Sequence, residues 1–235
     1  MLDNSQATGS ADPDRRLVSL LDELIKRLAP EARVGLIAFD DLATPLVPLT
    51  RLADGGSEQI IDALQTLGFA AGQSNYAAGL ERAIYELTQN PDANARRVIL
   101  LQQSAPIAVG DAEKDQAFRR WAVEVLAGKA ADAGIELWVI SLGPGADPAL
   151  GSTLAERTAG VAVDSASADE LPRAIAALRQ RLSQTGLAAE PMQEVAPPAV
   201  ADAQLPEPST GPAVRITPPE PIPEATDATA DRELA

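Results

Sequence analysis

Arg97-Val98-Ile99-Leu100-Leu101 is the stretch on which the reading of the fold turns. After the arginine, apolar residues follow one another with no alternation, as in a strand covered on both faces. Gln102-Gln103-Ser104 then turn polar at once, so the strand hands over to a loop there. Ile135 to Leu142 repeats the pattern and is broken by Gly143-Pro144-Gly145. Between the two runs, about Asp115 to Ala133, Phe118, Trp121, Ala122, Val125 and Leu126 recur at helical spacing, and Gly134 supplies a C-cap. Strand, helix, strand in this order predicts a parallel pair joined by a crossover helix.

The rest of the chain extends that unit. Arg33 to Phe39 is an apolar strand, Asp40-Asp41 a turn, and Ala43 to Leu49 a returning strand. Pro45 and Pro48 remove ladder donors from the return, which places it at a sheet edge. A first helix is expected over residues 11–30, with Asp12 as N-cap before Pro13 and Leu17, Leu20, Leu21, Leu24, Ile25 and Leu28 on its buried side. Further helices are expected over Ser57 to Leu67, from Ser74 or Asn75 to Asn90-Pro91, over Pro148 to Thr158 and over Ala168 to Gln184. A short strand is expected over Gly160 to Val163. The sum is a Rossmann-like α/β domain. It has an open, mostly parallel sheet, one antiparallel edge strand and helices on both faces.

This domain spans residues 1–184. From 185 to 235 Pro, Ala, Glu, Asp and Thr dominate and aromatic residues vanish. That composition predicts a disordered acidic tail, partly extended as polyproline II. One piece is short. A strand should feed the first helix, and only Met1-Leu2 precede Asp3. The central first strand is therefore read as truncated. The expectation is a start downstream of the true one, with a strand supplied by another chain as the alternative.

Composition narrows the chemistry. The 235 residues carry a formal charge of −15, no cysteine and no histidine. Disulfides, thiolate metal sites, His-ligated zinc and Ser-His-Asp catalysis are excluded. The acidic balance argues against a nucleic-acid partner. No apolar run reaches the roughly 20 residues of a membrane span. The expected compartment is cytoplasmic, or membrane-anchored or exported if an upstream segment exists.

In an open α/β sheet, ligands bind beyond the carboxyl ends of the strands. Three handovers gather there: Asp3-Asn4-Ser5-Gln6-Ala7, Gly72-Gln73-Ser74-Asn75-Tyr76 and Gln102-Gln103-Ser104. Together they offer oxygen donors to a hard cation. Ala7 and Gln103 cannot supply the usual oxygen or charge.

The motifs, in order, resemble the von Willebrand factor type A domain over residues 2–182. Met1 to Ser5 is similar to the end of that family's first strand and the opening of its Asp-x-Ser-x-Ser loop. "RVGLIAFD" at Arg33 to Asp40 with "VPLT" at Val47 to Thr50 resembles its hairpin. "GQSNYAAGL" at Gly72 to Leu80 is similar to its Gly-x-Thr-Asn loop, and "RRVILLQQSAP" at Arg96 to Pro106 to its Thr-Asp-Gly-x-Pro loop. "GIELWVISLG" at Gly134 to Gly143 resembles the next strand, and Leu154 to Ile175 the family's end.

The resemblance implies a metal-ion-dependent adhesion site, usually holding magnesium. Asp3 and Ser5 match its first Asp and Ser, and Ser74 its Thr. Ala7 stands for the second Ser and Gln103 for the second Asp. The implied metal ligands are thus Asp3, Ser5 and Ser74, with magnesium weakly bound or lost, and no other cofactor. Asp3, Ser5, Ser74, Tyr76 and Gln103 are the candidate partner-binding residues.

The function expected is a non-enzymatic protein-interaction module. The family further implies a bacterial partner of the MoxR-type AAA+ ATPase class or an envelope complex. One alternative is a magnesium-dependent phosphatase with Asp3 as nucleophile. Against it, the required Asp-x-Asp-x-Thr finds Ser5 and Ala7 at its third and fifth positions. The other alternative is a purely structural scaffold.

Overall fold

The computed structural model describes residues 1–89, 96–185 and 187. The expected helix stop at Asn90-Pro91 and the tail from residue 188 onward lie outside them. A six-stranded sheet has the order β3-β2-β1-β4-β5-β6. Its strands are β1 (Leu2–Asp3), β2 (Arg33–Phe39), β3 (Ala43–Arg51), β4 (Arg97–Gln103), β5 (Ile135–Leu142) and β6 (Val161–Ser165). All neighbours are parallel except β2 and β3. β3 is the antiparallel edge that its prolines required. β4 pairs with β5 over its whole length, from Arg97 opposite Ile135 to Gln103 opposite Ser141. β1 is at the centre and is two residues long, with Leu2 between Ala38 and Gln102.

Strand alternation divides the core into two layers. Ile37, Phe39, Ile99, Leu101, Leu137 and Val139 face one side. There they meet α4 (Tyr76–Gln89), α5 (Ala112–Trp121), α6 (Ala127–Asp132) and α7 (Pro148–Arg157). Leu2, Leu36, Ala38, Trp138, Ile140 and Leu142 face the other. That side is covered by α2 (Arg16–Ile25), α3 (Gly56–Thr66) and α8 (Leu171–Thr185).

Three local expectations are corrected. The helix expected over 11–30 is only α2, Arg16–Ile25, and a separate helix that was not expected, α1 (Gln6–Ala11), precedes it. Asp12 is not the N-cap of α2. Arg15 holds that place in the left-handed region at φ 56°. The Asp12 carboxylate instead reaches past it to accept from the Arg16 and Leu17 amides at 2.9 and 2.7 Å. It thereby satisfies two of the amides a helix start leaves open. Third, Val125 is 40% exposed rather than inward. The helix makes a π turn over Ala122–Leu126 between α5 and α6. Its i→i+5 pairing joins the Ala127 amide to Ala122 O, and Leu126 and Ala127 are buried there while Val125 is not. Among the described residues no helix is long and apolar enough to cross a membrane.

Candidate functional site

Backbone pairing ties three loops together at the carboxyl end of the sheet. Gln6 N donates to Ala71 O at 2.7 Å, and Ala71 N to Asn4 O at 3.2 Å. Ser74 and Ala108 exchange amide bonds of 3.1 and 2.8 Å. The loops after β1, before α4 and after β4 thus converge on one point, the side chain of Asp3.

Asp3 is fully buried. Its Oδ1 accepts from the Ser5 amide at 2.9 Å, and its Oδ2 from the Ser104 amide at 3.1 Å and Ser74 Oγ at 3.3 Å. Burial pushes its pKa up, opposed by the hydrogen bonds from Ser5, Ser104 and Ser74. The backbone N–H of Asp3 donates to Gln102 Oε1 at 3.2 Å. Gln102 Nε2 in turn donates to Ser104 Oγ at 2.8 Å and meets Thr8 Oγ1 at 3.5 Å. Gln102, read from the sequence only as part of a handover loop and given no role of its own, is the amide that braces Asp3.

Gln103 is turned the other way. Its Nε2 donates to Asp147 O at 2.8 Å and Ser141 Oγ at 3.2 Å, and its Oε1 accepts from Asp147 N at 3.4 Å. It secures the start of α7, where Asp147 Oδ1 caps the Leu150 amide at 3.1 Å. Gln102 pairs with Leu2, so strand phase sets Gln103 level with Asp3, and Gln102 reaches Asp3 only through the Asp3 backbone N–H. Alternation therefore gave no signal for Gln102.

Of the predicted residues, the structure brings Asp3, Ser5 and Ser74 together. It sends the Gln103 side chain to α7 and packs Tyr76 in the core under the first turn of α4. None of these five side chains is more than 4% exposed. Burial drives the Tyr76 phenol well above the ordinary tyrosine range. What faces outward is a shallow dish of about 330 Å³ floored by Ser5 and Ser74 and walled by Gln6, Ala7, Gln73 and Ala108.

As a cation seat this donor set is thin. It holds one carboxylate, and both of its oxygens already accept bonds from the chain. Ser5 Oγ is buried without a partner of good hydrogen-bond geometry, and it lies near enough to Asp3 to oppose the rise in that carboxyl's pKa. Among the described residues no three acidic side chains are grouped to hold a metal. Magnesium sheds water reluctantly and asks for more charge than this.

Comparison with known proteins places the fold. Residues 1–102 match the family model of the von Willebrand factor type A domain. No curated protein matches the chain. Among solved structures, it is similar to an aerotolerance-related membrane protein from Bacteroides fragilis (15% identity, 78% of this chain and 96% of that one, TM-score 0.57). A von Willebrand factor type A protein from Catenulispora acidiphila gives 16% identity and a TM-score of 0.61 over 79% of this chain and 41% of that one. Proximal thread matrix protein 1 of the mussel byssus, with its adhesion-site motif occupied by zinc, gives 15% identity and 0.59 over 75% and 45%.

Proposed function

We propose that this von Willebrand factor type A domain is a platform that grips a protein partner without performing chemistry, and that its cation seat has been dismantled. One observation carries the reading. The Asp3 carboxylate, which would anchor a cation, is spent on Ser5, Ser74 and Ser104 of its own chain. The residue standing for a second carboxylate, Gln103, is engaged with Asp147 and Ser141. In place of a metal, internal hydrogen bonds hold the three loops in one shape. A buried carboxylate tied in this way is also a poor nucleophile, because an attacking oxygen needs open access to substrate.

The partner is a protein, met at the loop edge above the dish. An envelope complex is the setting we favour, on the fold shared with the Bacteroides membrane protein. A MoxR-type AAA+ ATPase is the other setting the family suggests.

Calorimetric titration with magnesium and manganese tests the proposal. The unaltered protein is expected to show no saturable heat. The double variant Ala7→Ser with Gln103→Asp restores a hydroxyl and a carboxylate, and is expected to bind. Tight binding by the unaltered protein at micromolar metal would overturn the reading. So would magnesium-dependent turnover of an aryl phosphate that disappears in Asp3→Asn.

A further inference from the structure

The dish at the carboxyl end of the sheet has a floor of one chemical kind. Asp3 beneath it only accepts: two backbone amides and Ser74 Oγ donate to its oxygens. That is how a carboxylate is met, since a carboxylic acid has a proton of its own to give. The Ser74 hydroxyl spends its hydrogen inward on Asp3 and keeps lone pairs for the dish it borders. Ser5 borders the dish too and is 4% exposed. Its Oγ has no hydrogen-bond partner of good geometry, and it opposes the rise in the Asp3 pKa as a hydroxyl turned to a carboxylate does.

Such a floor selects its occupant. Hydroxyl oxygens backed by a buried negative charge repel a carboxylate or a phosphate. They suit a group that brings donors and one positive charge. An ammonium has three donors and no acceptor, and a single carboxylate balances it. A divalent ion asks for a fuller shell of oxygens and for more charge than Asp3 supplies.

The surroundings point the same way. Among the described residues no charged side chain walls the dish. Acidic groups stand just outside it. Asn75 Nδ2 donates to Asp41 O at 3.4 Å, which ties the turn carrying Asp40 and Asp41 to the loop before α4. Beyond Ala108, Asp115 Oδ1 accepts from the Val109 amide at 2.7 Å. The basic side chains on the same helix as Asp115, Lys114 and Arg119, are paired with Asp111 and Asp147. The start of α4 beside the dish would favour an anion, but Asn75 Oδ1 already accepts from its Ala78 amide at 3.3 Å.

We infer that the dish receives the ammonium of a lysine on the protein partner. Its Nζ takes Ser5 Oγ and Ser74 Oγ as acceptors, with Asp3 as the counter-charge behind them. The inference rests on the interaction reading above and adds to it the chemistry of the partner's anchoring residue. A divalent ion held by Asp3 alone would keep a net positive charge and take an acidic group instead. The two occupants call for partners of opposite sign, which makes them separable.

NMR titration of the isotope-labelled full chain tests it with three probes. They are acetyl-Gly-Ser-Lys-Ser-Gly-amide and the same peptide with norleucine or glutamate in place of lysine. Without divalent metal, the lysine peptide is expected to shift the Ser5, Gln73 and Ala108 amides saturably. It should bind about 10-fold more tightly than the norleucine peptide, the worth of a hydrogen bond to a charged group. Ser5→Ala removes one acceptor and is expected to remove that advantage at an unchanged thermal midpoint. Gln73→Lys is expected to remove it from the wall of the dish, because the chain's own ammonium then competes. Equal binding of the lysine and norleucine peptides would overturn the inference. So would a lysine advantage that survives Gln73→Lys. Tighter binding of the glutamate peptide without metal would overturn the inference and leave the interaction reading standing. Glutamate binding that appears only with magnesium would overturn both.

Discussion

At its carboxyl end β1 delivers Asp3 into a shell where both carboxylate oxygens are met by donors from three loops. At its amino end, two residues earlier, it leaves a buried amine and a cavity of about 350 Å³ between bare strand edges. The polar end of the strand is enclosed by donors, and the apolar end borders a cavity. Hydrogen bonds need only a few well-placed atoms, whereas a core needs volume. The site can therefore keep its geometry although β1 has only two residues, because the loops brace one another and do not rely on the length of the strand.

The largest expected difference between the two ends is a pH effect. The amine has an ordinary value of 8.0 and falls to about 5 on burial. Below pH 5 it is protonated whether folded or unfolded, and above pH 8 it is neutral in both. Between them the unfolded chain holds the proton more strongly. Stability contributed here is present above pH 8 and lost as pH falls to 5, by about 4 kcal/mol in all. Asp3, with a raised pKa, works in the opposite sense: its contribution is present at low pH and lost as pH rises through the raised value. Urea unfolding of the chain and its N-acetylated form from pH 5 to 8.5 separates them, since Asp3 is common to both. The difference between the two forms should shrink as pH rises. A difference that is flat with pH would mean that the amine lies in water and the gap is wider than the register implies.

Removing the anchor of the completed end comes next. Asp3→Ala leaves the Ser5 and Ser104 amides and Ser74 Oγ without their acceptor in a buried site. Each orphaned group costs roughly 1–3 kcal/mol, offset by relief of a buried carboxylate, for a net loss of about 3 kcal/mol. The urea midpoint reads it. A loss below about 1 kcal/mol would mean that water already satisfies these donors and that the shell is looser than its distances say.

The two ends also differed in how far they could be read from residues alone. The sheet was legible because Val98 to Leu101 and Ile135 to Leu142 lack alternation, and because Pro45 and Pro48 confine β3 to the edge. The shortness of β1 was legible from the position of Asp3. The shell around Asp3 was legible in its loops but not in its partners. Strand phase and the family pattern both point to Gln103, whereas Gln102 reaches Asp3 through a backbone N–H that no side-chain pattern records. α1 escaped notice because Gly9 and Ser10 are weak helix formers, and tertiary pairing holds its start through the Gln6 amide. Burial of all five expected contact residues was not legible either. Ser, Asn and Gln are exposed in most proteins, and only the knitting of three loops brings them inside.

The smallest effect concerns Tyr76, which joins the site to the core. Its ring is buried in the layer under α4, and its hydroxyl has no hydrogen-bond partner. The nearby ion pair of Arg119 with Asp147 acts on it in opposing directions, the guanidinium lowering and the carboxylate raising its pKa. A phenol hidden without a partner gives up its hydrogen bond to water and gains none in return. Tyr76→Phe should therefore leave stability unchanged or raise it by up to about 1 kcal/mol. A loss would show that the hydroxyl is satisfied, with Arg119 and Asp147, the charges that act on it, as the candidates. Partner binding gives the second reading. If Tyr76→Phe weakens binding while stability holds, the ring must emerge from the core when a partner arrives. The carboxyl end of the sheet would then be the mobile one, and the sequence-based assignment of Tyr76 to the contact surface would stand.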